Sequence, residues 1–182
     1  MLSDAWTRAY CGPAPGPDDF WFRWNFDPLL LAALSLLFFV VLRARSCHGL
    51  AAVGVLVLAF VSPLCALSSA LFSARVVHHV LLFAVAAPLL ARAWPSRRAG
   101  GAMAAFAVSI VVLWGWHLPV AYDLALSHVG VYWLMQISLL GAALWFWREV
   151  FAPGRTPVEA LTLLIAGFAQ MGGEGVPWIA TS

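Results

Sequence analysis

Charged residues are scarce in this 182-residue chain, and lysine is absent. Charged side chains make up 10% of the sequence, whereas 63% of the residues are hydrophobic and the mean hydropathy is +0.90. Soluble domains carry about a quarter charged residues, so the composition excludes an ordinary soluble globule, and it excludes a disordered chain for the same reason. The net charge of +2 is too small an excess to indicate a nucleic-acid partner.

Cysteine is scarce as well, and no catalytic motif is present. Cys11, Cys47 and Cys65 form no C-x-x-C pair, so the sequence indicates neither a disulfide framework nor a zinc module, and Cys11 and Cys47 are expected to be unpaired on the solvent side. Residues 1–27 hold four aspartates and no apolar run, which is unlike a cleavable signal peptide. Without a phosphate loop, a nucleophile elbow or a carboxylate pair inside the membrane, we do not expect an enzyme.

The apolar residues form six segments of about the length that crosses a bilayer, which predicts an all-α transmembrane helix bundle. The spans are expected at residues 26–43, 49–67, 76–93, 102–122 and 129–151, with a sixth from Pro157 onward. Residues 1–25 are expected to form an irregular leader, residues 26–172 the bundle and residues 173–182 a short tail. The sixth span is the weakest, because residues 157–171 cover only about 22 Å at helical rise. It is expected to be either re-entrant or truncated.

Arginines set the expected orientation, since cytoplasmic loops collect basic residues. Seven of them follow the first, third and fifth spans, and three lie on the opposite side together with all five aspartates. This distribution predicts that the N-terminus and the leader are outside.

Histidines inside the spans are the first functional candidates, because ionisable side chains are costly in a membrane. His79 lies four residues inward from Arg75, and His117 lies five residues inward from Tyr122. Two antiparallel spans thus present imidazoles at a similar depth, about 6–7 Å from the outer face. The similar depth of His79 and His117 predicts a metal-binding or haem-related site, with helix packing as the alternative. For His78, packing is the favoured interpretation.

Soft side chains at the same level could complete a site for cuprous copper. Met135 lies about 9 Å inside the fifth span, Cys65 lies on the second, and Met171 would reach a similar level if the sixth span crosses. Packing is the favoured interpretation of all three. Asp123 and His128 in the adjacent outer loop could finish or feed the site. These ligand types leave copper, zinc and haem iron open.

Three prolines interrupt the spans, and each removes one helical hydrogen bond. Pro63 and Pro119 are expected to distort the outer ends of the second and fourth spans, beside the candidate site. Pro88 should free a carbonyl near residue 84. These distortions would either open the helix ends around a ligand or simply be tolerated because neighbouring helices satisfy the carbonyls.

Two stretches resemble a known family. The segments SPL (62–64), VHHVLL (77–82) and APLL (87–90) resemble the second and third helices of the CtaG-like cytochrome c oxidase assembly proteins of bacteria. Trp116-His117-Leu118-Pro119, followed by Tyr122-Asp123, resembles the signature of that family at the end of helix four. Together with residues 24–28, the likeness covers most of residues 24–152.

The resemblance implies a multi-pass protein of the bacterial cytoplasmic membrane that helps to assemble a haem-copper oxidase, with copper delivery as its usual proposed role. It implies that His79 and His117 are the characteristic histidines. Gln136 stands where relatives commonly carry a further histidine, and the chain is shorter than the usual seven-helix relatives. Either Met135 or His78 then substitutes as a ligand, or the protein is a shortened paralogue with impaired binding.

Taken together, the sequence predicts an assembly factor in the lipid bilayer that holds copper at its periplasmic side through His79 and His117, with His78 or Met135 as further ligands. Its expected partner is an oxidase subunit or a copper chaperone. The first alternative is a metal-free scaffold that stabilises an oxidase subunit or a haem-insertion intermediate. The second, a copper or haem transporter, is disfavoured because the inner halves of the third and fourth spans are almost wholly apolar.

Overall fold

The computed structural model of the chain describes residues 10–12, 15–16, 18–96 and 100–154, together with Glu159, Thr162 and Ile165. Within these ranges the chain forms helices and no strand, which confirms the predicted all-α class. The elements are a 3₁₀ turn at Phe20–Phe22, then α1 (Pro28–Arg43), α2 (Cys47–Phe60), α3 (Leu64–Ala70), α4 (Phe72–Ala93), α5 (Ala102–His117), α6 (Pro119–Ser127) and α7 (Val129–Val150).

Helices or bent helix pairs occupy the first five predicted spans. Helices α4 and α7, with 22 residues each, are long and apolar enough to cross a membrane, and the bent pairs α2–α3 and α5–α6 raise the number of candidates to four. Helix α1 is apolar but shorter, because Pro28 starts it and Arg43 ends it. The sixth predicted span falls outside the described residues except for Glu159, Thr162 and Ile165, which are helical.

Local capping sets the first two helix starts. The Asp27 carboxylate accepts hydrogen bonds from the amides of Leu29 (2.7 Å) and Leu30 (3.1 Å), and Pro28 occupies the first helical position, where its missing amide costs nothing. The hydrogen bond from Leu30 is the main reason that the pKa of Asp27 lies below its usual value. At the start of α2, the Ser46 hydroxyl accepts from the amide of Gly49 (3.1 Å).

The helices pack in an order that differs from their order in the chain. Helix α1 packs on α2, α2 on α4, α4 on α7, and α7 on α5, so α7 lies between α4 and α5. We call the end of the bundle at which residues 10–27 and the starts of α4 and α7 lie the leader end, and the opposite end the far end. Asn25 fastens the leader to the leader end, since its backbone amide donates to the Val61 carbonyl (2.9 Å).

Helix α4 widens into a π-helical segment at Leu81–Ala86, just before Pro88. In a π turn the amide of residue 88 would donate to the carbonyl of residue 83, and proline has no amide to give. The Trp147 indole of α7 takes that place and donates to the Phe83 carbonyl (2.7 Å). The sequence prediction of a freed carbonyl near residue 84 is therefore accurate to one residue, and a neighbouring helix satisfies it.

Candidate metal centre

Two proline-bent helix pairs shape the leader end around the start of α7. Helices α2 and α3 meet at 49° beside Pro63, and α5 and α6 meet at 72° beside Pro119. Each proline lacks the amide that would continue the helical hydrogen bonds. The prediction that these prolines distort the ends of the second and fourth spans is confirmed.

His79 of α4 and His117 at the end of α5 lie against each other. Their ring centroids are 5.5 Å apart, with the planes at 74°. The sequence placed the two histidines at one depth, and the structure brings their rings into contact even though α7 separates most of α4 from α5.

The hydrogen bond of His117 shows which ring nitrogen carries a proton. Its Nδ1 lies 2.7 Å from the Leu113 carbonyl oxygen, which can only accept, so Nδ1 carries the proton and donates. Metal-ligating histidines typically donate one ring nitrogen to a backbone carbonyl in this way and bind the metal through the other, which in His117 is Nε2. On the facing ring, His79 Nδ1 is buried without a hydrogen-bond partner among the described residues.

The spacing of the two rings fits one shared metal ion. An ion about 2.0 Å from one nitrogen of each ring lies about 3 Å from each ring centroid, so two rings that share it have centroids at most about 6 Å apart. The observed 5.5 Å is within this limit. A buried imidazole nitrogen without a partner is the kind of atom that such an ion would satisfy.

A small cavity adjoins this pair, and we call it the histidine cavity. His78, His79, Met135 and Gln136 line it together with residues of the leader and of α3, and its space of about 10 Å³ suits one water molecule or one ion. Met135 is 2% exposed. His78, His79, Met135 and Gln136 thus line one cavity. His117 lies outside its lining and joins the group through its ring contact with His79.

His78 is the most enclosed member of the cluster, with 1% of its surface exposed. Its ring stands edge-on against Phe60 at 5.1 Å and lies 6.0 Å from the ring of His79. Neither ring nitrogen makes a hydrogen bond of standard geometry within the described ranges. The observed contacts of His78 are therefore those of a packed aromatic ring beside the cavity.

Arg75 supplies a positive charge at the cavity. Its guanidinium lies 4.0 Å from the centre of the Tyr122 ring, and its Nε donates to the Ser68 carbonyl (3.3 Å). No carboxylate is among the described residues that line the cavity. The wall therefore combines neutral donors, imidazole, thioether and amide, with one cation.

The cysteine predictions need correction. Cys11 and Cys65 form a disulfide with their Cα atoms 5.4 Å apart across 54 residues of sequence, so Cys11 is not unpaired and Cys65 is not available as a soft ligand. The physical reason is that the leader folds back onto α3, which no local spacing of cysteines signals. Cys47 is a free, exposed cysteine, as expected.

The other secondary candidates do not join the cluster. Asp123 and His128 are exposed and are not part of the cavity wall. Met171 lies outside the described residues. Across the described ranges, no three side chains of His, Cys, Asp or Glu converge to hold a metal ion. Any site here therefore depends on two imidazoles with help from a softer or weaker donor.

One family model matches the second half of the chain. Residues 97–180 match the family model of the cytochrome c oxidase caa3 assembly factor, which confirms the resemblance in that segment and includes His117, Gln136 and part of the predicted tail. His78 and His79 lie outside the match. Searches of curated proteins and of solved structures give no match.

Proposed function

We propose that this protein, a match to the caa3 oxidase assembly factors over residues 97–180, holds one cuprous ion between His79 and His117 and passes it to an oxidase subunit during assembly. The observation that carries the proposal is the 5.5 Å contact between imidazoles from two different helices. The match to the caa3 family indicates oxidase assembly as the process, and the paired rings provide ligands for the copper ion that would be delivered in it.

The donor set favours cuprous copper over other metals. Soft thioethers prefer Cu(I), imidazole suits copper and zinc, and hard cations prefer carboxylates, which are absent from the described lining of the cavity. A guanidinium also repels a divalent ion more strongly than a monovalent one. Met135 and Arg75, which line the cavity together with His79, therefore support a singly charged soft ion.

A weak site suits a transfer function. Two imidazoles, one thioether and a nearby cation bind copper less tightly than a closed site with four strong ligands. An ion held in this way can pass to a recipient that offers more or softer ligands. Arg75 would aid release by repelling the bound ion.

The disulfide supports the proposed side of the membrane. Disulfides persist in oxidising compartments such as the bacterial periplasm and are rare in the cytosol. Cys11–Cys65 lies at the leader end, next to the histidine cavity. Together with the arginine distribution, it supports a periplasmic leader end and copper exchange on that side.

A metal-free scaffold is the second candidate, and the packing of His78 favours it. The His78 ring is buried edge-on against Phe60, and helix packing alone is enough to account for this contact. If His79 and His117 also serve only to pack the helices, the protein would stabilise an oxidase subunit through other surfaces.

The test is the copper content of purified variants. The protein in detergent is loaded anaerobically with cuprous ion, and retained copper is measured for the parent, His79→Ala, His117→Ala and the control His128→Ala. We expect about one copper ion per chain in the parent and the control, and none in the His79→Ala and His117→Ala variants. A parent that retains no copper overturns the proposal.

The same variants separate delivery from scaffolding in cells. In a strain that lacks the native protein, His117→Ala should fail to mature the oxidase, and added copper should restore activity at least in part. Full maturation with His117→Ala at normal expression would contradict copper delivery and support the scaffold.

A further inference from the structure

The leader forms part of the wall of the histidine cavity. Tyr10 and Cys11 line it on the side facing His78, His79 and Met135. The Tyr10 ring stacks on Tyr132 at a centroid distance of 4.9 Å. It also meets Trp133 edge-on at 5.0 Å. Tyr10 and Cys11 are thus the leader's part of the cavity wall.

The leader is fastened at two points of different strength. Near α1, the backbone amide of Asn25 donates to the Val61 carbonyl, and its side-chain amide donates to the Phe60 carbonyl (3.3 Å). Fourteen positions earlier in the chain, Cys11 is bonded covalently to Cys65 of α3. The covalent bond holds the part of the leader that lies over the cavity.

We propose that residues 10–12 are a cover over the histidine cavity, that the Cys11–Cys65 disulfide keeps the cover closed, and that a dithiol reductant opens it. The idea that the cover regulates copper loading rests on the proposed function. The existence of the cover rests only on the contacts of Tyr10 and Cys11. The partner is a protein or small molecule with two neighbouring thiols.

The chemistry is a balanced thiol–disulfide exchange. A thiolate of the reductant attacks the sulfur of Cys11, which is half-buried, whereas Cys65 is fully buried. A mixed disulfide forms with Cys11, and Cys65 leaves as a thiolate that takes up a proton. The second thiol of the reductant then attacks the mixed disulfide and releases Cys11 as a thiol. The reductant ends as a disulfide, having given up two electrons.

Opening follows because the remaining contacts of the cover are weak. Once the covalent bond is broken, residues 10–12 are still held by two ring contacts of Tyr10, by the approach of its hydroxyl to Asn25 and Asp27, and by the approach of Cys11 to the Tyr132 hydroxyl. Ring contacts of this kind are individually small, and short segments with few contacts open locally.

The experiment measures the accessibility of His78, which needs no copper. The full chain carrying Cys47→Ser, which removes the free thiol, is treated with diethyl pyrocarbonate either as purified or after dithiothreitol followed by anaerobic desalting. Mass spectrometry reports modification of His78, and the exposed His48 is the internal control. We expect modification of His78 to accelerate on the order of tenfold after reduction, with His48 unchanged.

A second variant guards against an unspecific effect of the reductant. Cys11→Ser combined with Cys65→Ser should give fast modification of His78 with and without dithiothreitol. Equal rates in oxidised and reduced Cys47→Ser protein overturn the cover, as do free thiols at Cys11 and Cys65 in protein prepared without reductant.

Copper loading of the same samples distinguishes the two proposals. Faster loading after reduction supports both. Reduction that exposes His78 in a protein that never retains copper supports the cover and overturns the copper function. Copper bound at the same rate in both states, with His78 equally protected, overturns the cover and leaves the copper function standing.

Discussion

The two ends of the bundle are built from the same apolar helices but differ in how well their polar groups are satisfied. At the far end, Phe83, Phe146 and Trp147 pack as close aromatic neighbours, with the first two ring centroids 5.9 Å apart. The Glu149 carboxylate accepts hydrogen bonds from the amides of Gly100 and Gly101 and so holds the start of α5. The far end is thus stabilised by filled space and satisfied backbone groups.

The leader end is irregular and keeps polar atoms unsatisfied. Among the described residues, buried side-chain nitrogens and oxygens without a standard hydrogen bond belong to Tyr10, His78, His79 and Gln136 at this end, and to Arg148 at the other. Such atoms cost free energy unless a ligand, an ion or water meets them. The far end is thus stabilised by packing and satisfied backbone groups, whereas the leader end contains buried polar atoms that the proposed copper ion or water would satisfy.

The largest effect on stability should come from the far end. Phe146→Ala removes a side chain that is 1% exposed and should lower the free energy of unfolding by about 3 kcal/mol, because the lost packing contacts are not recovered. Thermal unfolding in detergent measures this. Ile137→Ala, on the exposed face of the same helix, is the control. Copper retained per folded chain should not change; a loss of copper would show that the two ends are not separable.

Gln136→His should raise the affinity of the leader end for cuprous ion. A third imidazole in the cavity wall should tighten cuprous binding by on the order of tenfold, or about 1.4 kcal/mol. Competition against a chromogenic cuprous chelator measures the affinity. Gln136→Leu keeps the volume without a donor and should leave affinity near that of the parent. If the histidine variant binds no better than the leucine variant, Gln136 does not face the bound ion.

Trp147→Phe tests how the far end satisfies the π-helical segment of α4. The substitution keeps most of the ring but removes the donor to the Phe83 carbonyl, and should cost about 1 kcal/mol. Thermal unfolding is again the measurement, with Trp145→Phe as the control because Trp145 is 41% exposed on the same helix. Equal losses in the two variants would mean that the indole hydrogen bond contributes nothing specific.

Features that depend on nearby residues were predictable from the sequence. Apolar run length located the helices, and the missing amides of Pro63 and Pro119 located the bends. Counting helical rise from Arg75 and Tyr122 placed His79 and His117 at one depth. Each of these inferences uses the fixed geometry of a helix, which the sequence determines within a few residues.

Features that depend on how distant segments pack were not predictable. Nothing near Cys11 indicates that the leader folds back over 54 residues to reach Cys65, and no periodicity places α7 between α4 and α5. The role of Trp147 as the donor to Phe83 depends on that same placement. The resemblance singled out Gln136 as standing where relatives commonly carry a histidine, but its place in one wall with His78 and Met135 required the structure.

The smallest expected effect concerns the carboxylate that caps α1 at the leader end, the local counterpart of Glu149. Asp27→Ala should lower the free energy of unfolding at pH 7 by about 0.5–1 kcal/mol, because two amides lose their acceptor. The pKa of Asp27 is lowered in the folded protein, so its contribution is fully present above the unfolded pKa of about 4 and is lost as the pH falls through the folded pKa. The difference between parent and variant in unfolding temperature should therefore shrink at pH 3. Asp27→Asn can still accept these hydrogen bonds and should show a smaller, pH-independent difference; a full-sized loss with asparagine would assign the effect to charge rather than to capping.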